Sequence, residues 1–388
     1  MSDDDLRNFD IHRDGVRIGA ECVWARMRDA PGMAHSELYG GFHMAAKYAD
    51  LRAALMNHEL LSSASGITLP EATTRTRHIP AETDPPLHRE YRMVMQRALT
   101  PERVAALEPA VLDIVRTLLD GIKTEKIDFF SQFARPLPIY VMLDFLGLPR
   151  KDGPMIDQLV DDLHEEVATG MSRGGGAKLT AYAEAVIANR EAEGDDFVSN
   201  VIRGEVEGRA VTFDEKANMV RQVLIGAFDT MSLTLTAGVH WLAEHLEDAE
   251  RLRADPSLMN TAVEDMVRFA SASTYLRRTA TADAVFGGVQ LHKGDYVLLC
   301  FGAANRDPSA FPEPDKILLD RRPINHLGFG LGVHRCIGSH LAKLQLRTAL
   351  TELLARYDFR PDPEGAIEYS KGLGQGLIRL PLILSPRA

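Results

Sequence analysis

Residues 326–342 read His-Leu-Gly-Phe-Gly-Leu-Gly-Val-His-Arg-Cys-Ile-Gly-Ser-His-Leu-Ala. The pattern inside this stretch is F-G-x-G-x-H-x-C-x-G, filled by Phe329, Gly330, Gly332, His334, Cys336 and Gly338. Leu346, Leu350, Leu353 and Leu354 follow at helical spacing, so Cys336 falls where a helix begins. A helix start brings positive potential and free N–H groups beside a sulfur, which favours the thiolate, the form that binds metal. Glycines let backbone approach that sulfur closely. A buried structural cysteine in a glycine-rich turn is the plain alternative. Six specified positions in ten residues favour a ligand.

The rest of the chain agrees with a helical setting. Met219 to Leu246 is the longest apolar stretch, and it contains Arg221, Asp229, His240 and Glu244. Charges near its middle argue for a buried core helix and against a membrane span. Asp84-Pro85-Pro86 predicts a helix start with an acidic cap, running to about Leu99, and Thr100-Pro101 opens another. Phe42 to Leu61 carries helix-like spacing, and Met171 to Ala177, with its three glycines, predicts a turn or a lid hinge. Strand signals lie near the N-terminus and at 285–301 and 376–384. The reading is a mainly α protein with a small β subdomain, forming a single catalytic domain over 1–388.

Composition excludes several classes. A net charge of −11 speaks against general binding to nucleic acid or to anionic membranes. The acidic opening Met1-Ser2-Asp3-Asp4-Asp5 shows no secretory signal, and three cysteines make no disulfide framework, so the expectation is a cytoplasmic monomer. Cys22 and Cys300 read as small buried hydrophobes.

From Trp24 onward the sequence resembles the cytochrome P-450 family, and most of all its soluble bacterial members of the camphor-hydroxylase type. The cysteine loop carries the resemblance, with Asp84-Pro85-Pro86, Gly288-Val289-Gln290-Leu291 and Leu380-Pro381-Leu382 in support. The resemblance implies a helical domain enclosing haem b, a long central helix above it and the cysteine loop beneath, with Cys336 as iron ligand. It implies that His88, Arg92, Arg278 and His334 hold the propionates and that Phe329 packs in the loop below. Gly226-Ala227-Phe228-Asp229-Thr230 is similar to the family's acid–alcohol signature, with Ala227 where glycine is usual, and makes Asp229 and Thr230 the catalytic pair. Asp265-Met266-Val267-Arg268 resembles the family's Glu-x-x-Arg motif with a shorter acid, and Arg321 would be the third partner. Ala304-Asn305-Arg306-Asp307-Pro308 is similar to a stretch expected to shape a loop.

The implied activity is insertion of one atom of O2 into a small hydrophobic substrate, terpenoid or aromatic. Electrons would come from NAD(P)H through a separate ferredoxin and its reductase. The ferredoxin would dock near Arg89, Arg335, Lys343 and Arg347. Substrate contacts would fall in Ser62 to Thr76, near the lid, at Ser273 to Leu276 and at Gly372 to Gly374. The alternatives are a peroxide-using or non-oxygenating haem-thiolate enzyme and a haem-based sensor.

Overall fold

The structure, a computed structural model, describes residues 4–13, 20–70, 77–370 and 374–387. Its organising element is the 32-residue helix Phe213–Glu244. Thr212 caps that helix in reciprocal fashion: its hydroxyl takes the Glu215 N–H, and the Glu215 carboxylate takes the Thr212 N–H at 2.8 Å. The helix is long and apolar enough to cross a membrane by length and composition, but 56% of its apolar window is buried inside the protein. Phe228, Leu224, Leu235 and Val239 are among its fully enclosed side chains. Each contributes about 1.5–3 kcal/mol of burial free energy, so packing rather than propensity holds the helix.

Around it pack Pro136–Leu146, Gly153–Thr169, Gly175–Ala188, Met259–Ala270 and Ser339–Arg356. The five-stranded sheet runs in the order Ala34–Ser36, Phe42–Ala45, Tyr296–Cys300, Tyr275–Ala280, Leu61–Ser62. The pairing of Phe42–Ala45 with Tyr296–Cys300 is parallel, and the other pairings are antiparallel. Ala284–Phe286 and Val289–Leu291 form a separate hairpin. Pro381–Pro386 lies between Tyr357–Pro361 and Lys126–Asp128 in a three-stranded sheet, apart from the five-stranded one.

Several local expectations change. Phe42 opens a strand, and the helix expected from it is confined to Tyr48–Met56. Asp84 does not cap the next helix, Leu87–Gln96; its carboxylate takes the Ser62 and Ser63 hydroxyls and the Ser63 N–H. Thr100 does cap Pro101–Ala106, accepting from Arg103 N–H. Cys300 is fully buried in its strand, but Cys22 is exposed. Its helix, Ala20–Asp29, turns Trp24 and Met27 inward instead.

The glycine-rich break is less of a hinge than its composition implies. Gly170 and Gly174 have φ of +70° and +78°, where a side chain is strained. Gly175 and Gly176 already belong to the following helix. A Cβ on Gly175 would come 2.7 Å from Leu163 N and 2.8 Å from Leu159 O, so this glycine permits close contact of two helix backbones. Glu166 tightens the joint by accepting from the N–H groups of Arg173, Gly175 and Gly176 at 2.6, 2.9 and 3.3 Å.

Candidate active site

The cysteine loop begins where Asn305 holds it. The fully buried Asn305 accepts from Leu327 N–H at 2.8 Å and donates to Ser271 Oγ at 2.8 Å. Its neighbours serve the same region: Asp307 accepts from Tyr48 N–H at 2.8 Å, and Arg306 pairs with Asp315 at 2.9 Å. Gly330 and Gly332 turn the loop at φ of +67° and +69°. A Cβ on Gly332 would stand 2.6 Å from Leu55 O. Cys336 N–H closes the loop on Phe329 O at 2.7 Å, three residues before Ser339–Arg356 starts.

Cys336 is exposed, because its sulfur opens onto a cavity between this loop and the central helix. Burial pushes its thiol up, while the Gly338 N–H, Arg92 and Arg335 pull it back towards ionisation. Gly226, Ala227, Thr230 and Thr234 form the opposite wall, and Phe329 and Ile337 lie on the cysteine side.

One edge of the cavity is basic. His88, Arg92, Arg278 and His334 all line it. The His88 and His334 rings meet edge to face with centroids 4.4 Å apart, and His334 Nε2 lies 3.1 Å from Ser63 Oγ. Burial and then Arg92 push His88 down to about 4; burial and then Arg278 push His334 down to about 2. Burial pushes even Arg278 down to about 10. Among the described residues neither Arg92 nor Arg278 has a carboxylate partner. Buried cations without counter-ions require an anion from elsewhere. A flat apolar group with acidic substituents at one edge and a thiolate-seeking metal at its centre meets that requirement. The residues present therefore fit haem.

Behind the loop, the Asp265 network is complete. Asp265 Oδ1 accepts from Arg268 Nε at 2.5 Å and from Arg321 Nε at 2.8 Å, and Oδ2 accepts from Leu318 N–H at 2.7 Å. Arg268 goes on to the carbonyls of Asn305, Pro314 and Lys316. The chain at Leu318 approaches closely enough to suit the shorter acid. Glu264, one position out of register, does something different. It accepts from His326 at 2.9 Å and Lys343 at 2.8 Å, joining both ends of the cysteine segment to the core helix. Burial opposes its charge, but His326 and Lys343 outweigh burial and hold it at about 2.

The structure separates the two residues expected to act together on oxygen. Thr230 faces the cavity, its hydroxyl donating to Gly226 O at 3.0 Å. Asp229 faces a second, outer cavity, where it pairs with Arg135 and, at 2.7 Å, with His164 Nδ1. Burial would raise its pKa, but His164 and Arg135 hold it far below the usual carboxylate range. Arg135 also reaches Asp157 at 2.6 Å and Asp161 at 2.7 Å. No sequence spacing marks Arg135 or His164 as partners of Asp229.

Of the expected substrate segments, Ile67, Ser273 and Leu276 line the inner cavity. Positions 71–76 and 371–373 lie outside the described residues. Gly374 belongs to the outer cavity, beside Asp229.

A cysteine-bearing loop facing a long helix across an apolar cavity with a basic edge defines a haem-binding oxidoreductase of one architecture, and comparison with known proteins gives it a family. The family model "Cytochrome P450" matches residues 155–383. The chain is 33% identical over 325 residues to the steroid C26-monooxygenase of Mycolicibacterium smegmatis, covering 81% of this chain and 80% of that one. It is 32% identical over 396 residues to the methyl-branched lipid omega-hydroxylase of Mycobacterium tuberculosis, covering 96% and 92%. Among solved structures, CYP101J2 matches with a TM-score of 0.88 at 29% identity, covering 98% of this chain and 97% of that one. CYP101C1 matches at 0.87 and 31%, covering 97% and 96%. The chain belongs to the cytochrome P450 family, and it is a monooxygenase of that family, an oxidoreductase of haem iron and O2.

Proposed function

We propose that Cys336 is the proximal iron ligand of an enzyme that inserts one oxygen atom into a small hydrophobic substrate, terpenoid or aromatic, in the bacterial cytoplasm. The observation that carries this reading is the meeting of Cys336 with an unneutralised basic edge in one apolar cavity. Bound haem supplies reductive activation of O2. The protein residues supply everything around that chemistry. Arg92 and Arg278 would neutralise two carboxylates at the basic edge, and the neutral His88 and His334 could each donate an N–H to them. The Gly338 N–H would stabilise the cysteine sulfur in the ionised form that iron binds. Thr230 Oγ1 donates to the Gly226 carbonyl, which leaves its lone pairs free to accept a hydrogen bond in the cavity and so to hold a proton donor beside a reacting oxygen. Asp229 lies on the outer side of the same helix, and its partner His164, whose pKa is raised, is the group there that would supply a proton. Ala227 narrows the groove beside Thr230 by one methyl group.

The substrate reading rests on the walls, where Ile67, Ala272, Leu276 and Val223 are apolar. Relatives named for acting on a steroid, erythromycin and a methyl-branched lipid agree with an apolar ligand. For electrons, the reading is a ferredoxin reduced from NAD(P)H by its own reductase. Arg89 and Arg335 are exposed near the cysteine loop, and Met56 and Met93 beside them are about half exposed. Lys343 suits docking less well, because Glu264 already holds it.

The test is the absorption of the reduced carbon monoxide complex. Wild-type protein gives the red-shifted band of thiolate ligation, and Cys336→His loses it while retaining haem. Survival of the band in that variant overturns the assignment.

A further inference from the structure

Among the polar side chains of the cavity that neither haem binding nor proton delivery uses is Gln222, which is held in a fixed direction. Gln222, Gly226, Thr230 and Thr234 line the cavity at intervals of four along the central helix, so they share one face. The Gln222 carboxamide oxygen lies 2.8 Å from His78 Nδ1. A carbonyl oxygen only accepts, so the imidazole donates. Burial, and then Arg221, depress the His78 pKa, so its ring is neutral and has a single N–H, committed to this contact. His78 is itself anchored: its backbone N–H reaches Glu82 Oε2 at 3.0 Å, and Glu82 Oε1 takes the Ile67 N–H at 3.2 Å. With the oxygen turned to His78, the amide nitrogen must face the other way. It lies 3.8 Å from the point that a Cβ on Gly226 would occupy, over the groove, and no described residue accepts from it.

The walls beside this amide are Ile67, Pro80, Ala81 and Val223. A preorganised donor in an apolar chamber rewards a ligand that brings an acceptor and penalises one that leaves the donor bare. We infer that Gln222 is a specificity-determining residue that selects substrates carrying a carbonyl oxygen, such as a cyclic ketone or lactone, with His78 fixing the direction of the amide. The inference rests on the proposed function and adds the substrate class to it. It also bounds substrate size. Cβ positions one helical turn apart are separated by about 5–6 Å, so the amide nitrogen lies within about 10 Å of the Thr230 side chain. A compact ring system can span that gap.

The experiment is a spectral titration of haem-loaded protein with three matched pairs: cyclohexanone and cyclohexane, 2-norbornanone and norbornane, 2-adamantanone and adamantane. The affinity ratio of ketone to hydrocarbon is compared between wild type, Gln222→Leu and Gln222→Glu. Taking the ratio cancels the cost of moving the ketone out of water. For the best-fitting pair the ratio falls about 5–10-fold in both variants, because neither can donate and one net hydrogen bond is lost. His78→Phe, which frees the amide to rotate, lowers the ratio by a smaller factor. An unchanged ratio in both Gln222 variants overturns the inference. So does a ratio that falls only in Ser273→Ala, the cavity's other hydrogen-bonding side chain near the substrate walls. A Gln222-dependent preference for the matching alcohol over the ketone would show that the amide points the other way, and failure of every ketone to perturb the spectrum would remove the carbonyl class altogether. The carbon monoxide spectrum of each sample keeps the two readings apart. Loss of the band in wild type refutes the ligand assignment, whereas an intact band with an unchanged ratio refutes the role of Gln222.

Discussion

Asp229 and Thr230 are consecutive residues of one helix that open onto different cavities: Thr230 towards Cys336, Asp229 towards Arg135 and His164. Adjacent helical positions point about a quarter-turn apart, so the helix itself is the partition between the two chambers.

Removing either residue should therefore fail differently. Proton transfer by a positioned side chain contributes about 10²–10⁴-fold. In Thr230→Ala, electron consumption continues while product per NAD(P)H oxidised drops to a minor share and hydrogen peroxide rises. In Asp229→Asn, the whole cycle slows. Product and peroxide are measured against NAD(P)H with a surrogate ferredoxin system; full coupling in Thr230→Ala refutes that residue's role.

His164 gives the outer cavity a pH dependence. Burial opposes its charge, but Asp229 and then Asp161 outweigh burial and raise its pKa, while Arg135 opposes. A raised histidine pKa means the contribution is fully present below the unfolded value, about 6.5, and is lost as pH rises through the folded one. The stability gap between wild type and His164→Gln should be widest below that value and narrow at higher pH. Urea unfolding at a series of pH values reads it, and a gap that does not vary with pH would show that the ion pair contributes nothing.

Asp265 is matched to its length. Arg268 is fully buried and Arg321 nearly so, and both bond the same carboxylate oxygen. Asp265→Ala leaves two buried cations uncompensated and should cost about 3–5 kcal/mol, seen as lost haem-loaded protein. Asp265→Glu restores the family's usual acid, yet it should also destabilise, by about 1–3 kcal/mol, because the Leu318 backbone leaves no room for another methylene. A Glu variant as stable as wild type would show that the segment adjusts freely.

Gly175 should behave as a packing residue. Its added Cβ meets backbone atoms of the preceding helix, whereas that of Gly176 meets side-chain atoms alone, Leu163 Cδ1 at 3.2 Å and Glu166 Oε2 at 3.5 Å. Gly175→Ala should cost about 1–3 kcal/mol, and Gly176→Ala clearly less. Equal thermal stability of the two variants would contradict the close contact of these helices.

What the sequence determined by itself is local in the chain. The cysteine loop is legible because its six marked residues lie within ten positions, and each answers a backbone or ligand requirement met by near neighbours: glycines at positive φ, a thiolate at a helix start, a histidine turned to the same cavity. Thr100 is legible as a cap for the same reason, since its partner is Arg103 N–H. The long apolar run also declares the central helix, because a charge within such a run fits a protein core better than a bilayer. The tertiary structure decided everything that depends on how helices are rotated and how closely they approach. It turned Cys22 outward, set Gly374 beside Asp229, and brought Arg135 and His164 to that acid across 94 and 65 positions of chain. It also made Gly175 a contact between two backbones and drew His78 to Gln222 across 144 positions, on the wall of the inner cavity. Such pairings leave no trace in spacing or composition, because the free energy that selects them is that of the packed interior, in which each partner exists only once the others are in place.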